Sequence, residues 1–164
     1  MFLLKDLPNN QILSKFAKEY SIKNPDEVLS FLGILRIGSE YLELLDNFLK
    51  PYGLTHGRWI TLILLKRRGN QQALPSELAE QQGITRATMS GLLNQLESQS
   101  FIKRIEVDND KRKCIIALTK EGDSLLEKIM PEYYSFVSSV FKNLNTGSLK
   151  QLNSILGTLL ENIE

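Results

Sequence analysis

The chain has 164 residues, 42% of them hydrophobic and 24% charged, with a formal net charge of +1. That length suits one ordinary domain, or one small domain braced by helical extensions, and the apolar share builds a core without staples. A single cysteine, Cys114, and a single histidine, His56, exclude an intrachain disulfide and a structural zinc site, which takes about four N/S ligands.

Ile12, Leu13, Phe16 and Tyr20 predict a short opening helix that stops near Asn24-Pro25. Residues 26–50 read as a long helix with two apolar stripes. Val28, Phe31, Leu32, Leu35, Leu42, Leu45 and Leu49 form one; Ile34, Ile37, Tyr41, Leu44 and Phe48 form the other. Two apolar faces imply two partners, the chain's own domain and another subunit. Pro51 and Gly53 end this helix, and Thr55 is expected to cap the next, which carries Trp59, Ile60 and Leu62 and stops at Gly69. After a polar loop at Asn70-Gln71-Gln72, Pro75 opens a short helix around Leu78 and Ala79. Gly83 breaks it, and Thr85 caps a further helix that runs to about Ser100.

Residues 103–107 and 113–118 are β-prone and flank the polar tip Asp108-Asn109-Asp110-Lys111-Arg112, the pattern of a hairpin. Thr119 caps another helix, in which Pro131 should produce a kink. The last helix follows Asn145-Thr146-Gly147. Its stripe of Leu149, Leu152, Ile155, Leu156, Leu159, Leu160 and Ile163 fits a partner helix.

The charge is unevenly spread. Residues 55–118 hold ten Lys/Arg against six Asp/Glu, and the rest of the chain holds ten against thirteen. A basic centre between acidic flanks suits a nucleic-acid reader in a non-binding scaffold. The helix after Thr85 has the right surface for a reader. Met89, Leu92, Leu93 and Leu96 fall on its back. Ala87, Ser90, Gly91 and Asn94 fall on its front, with Thr88 and Gln95 at the margin. A helix that enters the major groove needs such a small polar front, because bulky or acidic groups clash with bases or repel phosphates. Asn and Gln can bond adenine bidentately, and Ser or Thr can meet either base or phosphate. Arg86, in the first turn, can reach a guanine edge or a phosphate. Lys103, Arg104, Lys111, Arg112 and Lys113 charge the hairpin positively, and an arginine at its tip can enter the minor groove. Asp110 can pair with Arg112 and set its direction.

The run LPSELAEQQGITRATMSGLLNQLESQSFIKR, followed by DNDKRKCIIALTKEG, resembles the MarR (multiple antibiotic resistance regulator) family over roughly residues 26–164. The SELAE…TRATMS helix pair, the D-x-R wing (Asp110, Arg112) and the LTKEG that leaves it carry the likeness. The resemblance implies a mainly α fold with a small β-hairpin wing, a winged helix-turn-helix flanked by N- and C-terminal dimerisation helices. It implies a homodimeric DNA-binding transcription regulator on a palindromic operator, usually a repressor released by a small molecule. By matching position it carries base reading to Arg86, Ala87, Thr88, Ser90 and Asn94, wing contact to Arg112, and phosphate contacts to Ser76 and Arg104. Leu74 stands where the family often has a capping Thr, and Ser100 where it usually has Gly. The expected division is residues 1–54 and 119–164 for dimerisation and 55–118 for DNA.

Gly33 and Gly38 weaken an apolar helix beside Arg36. That suggests room for an acidic aromatic effector near Phe31, Arg36, Tyr41, His56 and Trp59; close helix packing with an ion pair for Arg36 is the alternative. Cys114, beside Lys113, is either a thiol sensor or a small core residue. His56 near a helix start is read as a cap or packing residue. Neither a cofactor nor a catalytic motif is expected: there is no G-x-G-x-x-G, P-loop, H-E-x-x-H or spaced carboxylate cluster. A winged helix that binds protein would expect an acidic or apolar reading face, unlike this one. No apolar run approaches the roughly 18–20 residues of a membrane span. MFLLKDLPNNQ lacks the basic flank and apolar length of a secretory signal. A cytoplasmic protein is expected.

Overall fold

The computed structural model describes residues 6–106 and 114–163. Helix α1 is Asn10–Glu19 and α2 is Pro25–Leu49, followed by a 3-10 turn at Lys50–Tyr52 and α3 at His56–Lys66. Strand β1 (Gln72–Ala73) leads into α4 (Pro75–Gln82) and α5 (Arg86–Ser98). Strands β2 (Ile102–Glu106) and β3 (Cys114–Leu118) precede α6 (Lys120–Val140) and α7 (Thr146–Glu161).

The core sits around α3. Trp59, Leu62 and Leu65 are buried against Leu78 of α4, Met89, Leu93 and Leu96 of α5, Ile102 and Ile116 of the sheet, and Leu126 and Ile129 of α6. Of α2, only its last turn joins this core, through buried Leu49 with Leu45 and Phe48 packed on its margin. The front of α2 keeps Phe31 (62%) and Ile37 (54%) exposed, and α7 has no buried residue, with Leu160 62% exposed. Asn9 caps α1 by accepting from the Ile12 N–H at 3.0 Å.

Two local expectations are corrected. Thr55 occupies the N-cap of α3, but its side chain makes no cap bond. Asp46 Oδ1 of α2 accepts from the His56 N–H at 2.7 Å instead. Gly53, left-handed at φ 68°, turns the chain so that α3 starts beneath that carboxylate, and a negative charge suits a helix N-terminus. His56 thus gives its backbone to a cap rather than acting as one. The polar loop at Gln72 is in part a strand: β1 pairs antiparallel with β3, Gln72 opposite Ala117 and Ala73 opposite Ile116, giving the order β1-β3-β2. Two residues are too few for a period to show in sequence. Helix α6 carries Pro131 inside it.

The β2–β3 register runs from Ile102 opposite Leu118 to Glu106 opposite Cys114. Asp110, Lys111, Arg112 and Lys113, the expected wing residues, lie outside the described residues. Ser100 adopts φ 62°, its N–H donates to the Glu97 carbonyl at 2.9 Å, and the Phe101 N–H donates to Leu96 at 3.0 Å. This is a Schellman ending with serine where glycine is the easy choice. The left-handed conformation costs a residue with a Cβ on the order of 1 kcal/mol.

Candidate nucleic-acid interface

Helices α4 and α5 form a helix-turn-helix pair whose turn depends on Gly83, left-handed at φ 64°. Its N–H and that of Ile84 return to the Glu80 and Ala79 carbonyls at 3.1 and 3.0 Å. Leu74 has no polar atom with which to cap α4. Glu77 supplies half of a capping box, its carboxylate accepting from the Leu74 N–H at 3.1 Å. The same carboxylate is 2.9 Å from Arg68 Nη1. Thr85 caps α5 by accepting from the Thr88 N–H at 3.1 Å, and the two threonine hydroxyls lie 2.9 Å apart.

The pair is mounted on α3 by amides. Gln82 Nε2 donates to the Gly57 carbonyl at 2.8 Å, and Thr61 Oγ1 reaches both that carbonyl (2.9 Å) and Gln82 Oε1 (3.0 Å). Thr61 is fully buried, so these bonds satisfy it. At the other end of α5, Arg58 Nη1 donates to Gln99 Oε1 at 3.1 Å, and Gln99 Nε2 donates to the Gly53 carbonyl at 3.2 Å. Sequence reading singled out none of Gln82, Thr61, Gln99 or Arg58. Their partners on other elements lie 21 to 46 residues away, beyond the range of any helical or strand period.

On α5, Met89, Leu93 and Leu96 are buried, while Arg86, Ala87, Thr88, Ser90, Gly91, Asn94 and Gln95 are exposed. A Cβ on Gly91 would meet nothing within 4 Å, so the front of the helix is open. Ser76 is exposed in the first turn of α4, and Lys103 and Arg104 are exposed on β2. The structure draws two of these together. Arg104 Nη2 donates to Asn94 Oδ1 at 2.7 Å, and Arg104 Nη1 is 3.3 Å from Glu97 Oε2. The sequence alone assigned no role to Glu97. Its i, i+3 spacing from Asn94, just before the strand that carries Arg104, was the available signal.

The residues expected around an effector are not gathered into one site. Trp59 is 2% exposed, in the core, with its ring 5.4 Å from that of Tyr133. Phe31 is exposed near the start of α2, and His56 serves the α3 cap. Tyr41 lies edge-on to Phe141 at 6.3 Å. It lines a groove of about 230 Å³ between α2 and α6, with Leu44, Leu45, Tyr133, Phe136, Val137, Val140 and Phe141. Neither Arg36 nor any other charged residue lines that groove, because 3.6-residue spacing puts Arg36 on a different face from Tyr41. Cys114, at the start of β3, is half-buried. Among the described residues no cluster of His, Cys, Asp or Glu could hold a metal ion, and no helix is long and apolar enough to cross a membrane.

A MarR family model matches residues 52–113. The chain is 30% identical over 160 residues to the HTH-type transcriptional repressor YetL of Bacillus subtilis, covering 98% of this chain and 96% of that one. It is 27% identical over 157 residues to the transcriptional repressor MprA of Escherichia coli, covering 96% and 89%. Among solved structures it is similar to Streptomyces coelicolor Sco3205, a MarR family transcriptional regulator in complex with DNA, with a TM-score of 0.77 and 25% identity over 86% of this chain and 93% of that one. AbsC, from the same organism, shares the fold, with a TM-score of 0.76 and 21% identity over 85% and 95%.

Proposed function

The chain belongs to the MarR family of DNA-binding transcription regulators and is not an enzyme, and from that premise we propose that it is a repressor binding a palindromic operator as a homodimer. The open, small, polar face of α5, opposite a back buried through Met89, Leu93 and Leu96, carries the reading. Arg86, Ala87, Thr88, Ser90, Gly91, Asn94 and Gln95 meet base edges, while Ser76, Lys103 and Arg104 stand where flanking phosphates pass. Arg112, between Lys111 and Lys113, enters the adjacent minor groove, directed by Asp110. Residues 55–118 are the reading unit. Residues 1–54 and 119–164 join two copies, which accounts for the apolar surface left on α2 and α7, such as Phe31, Ile37 and Leu160. Two-fold symmetry then sets the reading helices about 34–36 Å apart, one turn of DNA.

An effector releases the DNA by altering that spacing. The groove between α2 and α6 supports an apolar aromatic compound rather than an acidic one, since its lining offers rings and aliphatic groups without a cation. If a panel of such compounds neither binds nor lowers operator affinity, the effector half of the reading fails and the DNA half stands.

A gel shift with DNA flanking the chain's own gene tests the rest. A palindrome is expected to shift at a stoichiometry of two chains, with affinity falling steeply with salt. Arg112→Ala is expected to reduce that salt slope by about one unit, the signature of one lost phosphate-region contact. No shift at low salt refutes the proposal.

A further inference from the structure

Asn94 and Arg104 enter the proposed interface as separate contacts, yet they are bonded to each other, Arg104 Nη2 donating to Asn94 Oδ1 at 2.7 Å. The second guanidinium nitrogen, Nη1, lies 3.3 Å from Glu97 Oε2. Asn94 and Glu97 are three residues apart and share a face of α5. The left-handed turn at Ser100 brings β2 back beside that face. A guanidinium has only donors, so the amide must present its oxygen to Arg104. Turning it over would set N–H against N–H. Among the described residues nothing accepts from Asn94 Nδ2, and the amide N–H groups are its free end.

Resting on the reading of α5 as the groove-facing helix, we propose that Asn94 reads its base as a hydrogen-bond donor, its amide oriented by Arg104 and Glu97 as positioning residues. An asparagine free to turn takes adenine bidentately, its oxygen accepting from the N6 amino group while its nitrogen donates to N7. Here the oxygen is held by a cation, the stronger kind of hydrogen bond. What faces the groove is N–H, which matches purine N7 or guanine O6. Glu97 keeps the guanidinium in place, and the remaining guanidinium N–H groups stay available to a phosphate.

The test uses the full chain and a duplex that it shifts, with modified purines scanned through one half-site. Wild type is expected to lose about tenfold in affinity where a 7-deaza purine removes the N7 that Asn94 contacts, and Asn94→Ala is expected to ignore that change. With adenine placed at the same position, removing its N6 amino group is expected to leave wild-type affinity unchanged. Arg104→Ala and Glu97→Gln are expected to acquire sensitivity to the amino group, and Arg104→Lys, which keeps a donor for the oxygen, to retain the wild-type pattern. Wild-type loss on removing the amino group overturns the inference. So does an Arg104→Ala chain with an unchanged base pattern, or an Asn94→Ala chain that matches wild type at every position. A wild-type chain that shifts no duplex overturns the underlying DNA-binding reading instead, and this inference with it.

Discussion

Replacing Gly122 by alanine tests how the reading helix is mounted. The first turn of α6 is stitched onto the end of α5: Thr119 N–H donates to the Phe101 carbonyl at 3.1 Å, Thr119 Oγ1 donates to the Ser100 carbonyl at 2.7 Å, and the Gly122 N–H donates to Thr119 Oγ1 at 3.0 Å. A Cβ on Gly122 would stand 2.2 Å from the Phe101 oxygen and 2.9 Å from Leu118 Cδ1. The oxygen belongs to backbone fixed by the Schellman ending, so it cannot swing away as a side chain would. An ordinary C···O contact needs about 3.3 Å, and opening the gap by that much strains the Thr119–Phe101 bond, worth about 1 kcal/mol. Overpacking adds about 1–3 kcal/mol, and the better helix propensity of alanine returns up to about 1 kcal/mol. The net loss is about 1–4 kcal/mol, which at this chain length lowers the melting temperature by roughly 2–16 °C. Thermal melts followed by circular dichroism, at fixed protein concentration so that association does not shift the midpoint, measure it. Gly91→Ala is the control. Its Cβ meets nothing within 4 Å, and it is expected to melt at or above the wild-type temperature while binding operator more weakly. A Gly122→Ala chain that melts with the wild type refutes the argument.

Ser100→Gly is expected to stabilise the chain by about 1 kcal/mol in urea unfolding, because glycine occupies the left-handed corner without the Cβ penalty. Asp46→Ala removes the carboxylate that accepts from the His56 N–H and is expected to cost about 0.5–2 kcal/mol by the same measurement. The Tyr52 phenol donates to Glu132 Oε2 at 2.7 Å, and that bond, then desolvation and the carboxylate charge, raise its pKa above the ordinary 10.0. Its contribution to stability is therefore intact below the unfolded pKa and is lost as pH rises through the higher folded value. Ultraviolet titration of the phenols is expected to show a late component that Tyr52→Phe abolishes and Glu132→Gln moves back toward 10.0.

The reading helix was legible in the sequence because its information is local. The i, i+3, i+4 spacing of Met89, Leu93 and Leu96 fixed the buried side, and small polar residues marked the other. The left-handed need at Ser100 was visible as a departure from glycine, and the structure realises it with φ 62°. Legibility failed where a side chain meets another element. Asp46 capping α3, Gln82 on Gly57 and Arg104 on Asn94 join residues whose separation in sequence carries no period. The residues expected around an effector are spread apart for the same reason, with Trp59 buried in the core and Tyr41 lining the groove between α2 and α6.

Composition and periodicity by themselves determined the order of helices, the hairpin and which side of each helix is apolar, since backbone hydrogen bonding and solvent exclusion act over one or two turns. Only the tertiary structure decided which donor meets which acceptor. A hydrogen bond forms or fails within a few tenths of an ångström, and that precision is set by how whole elements pack.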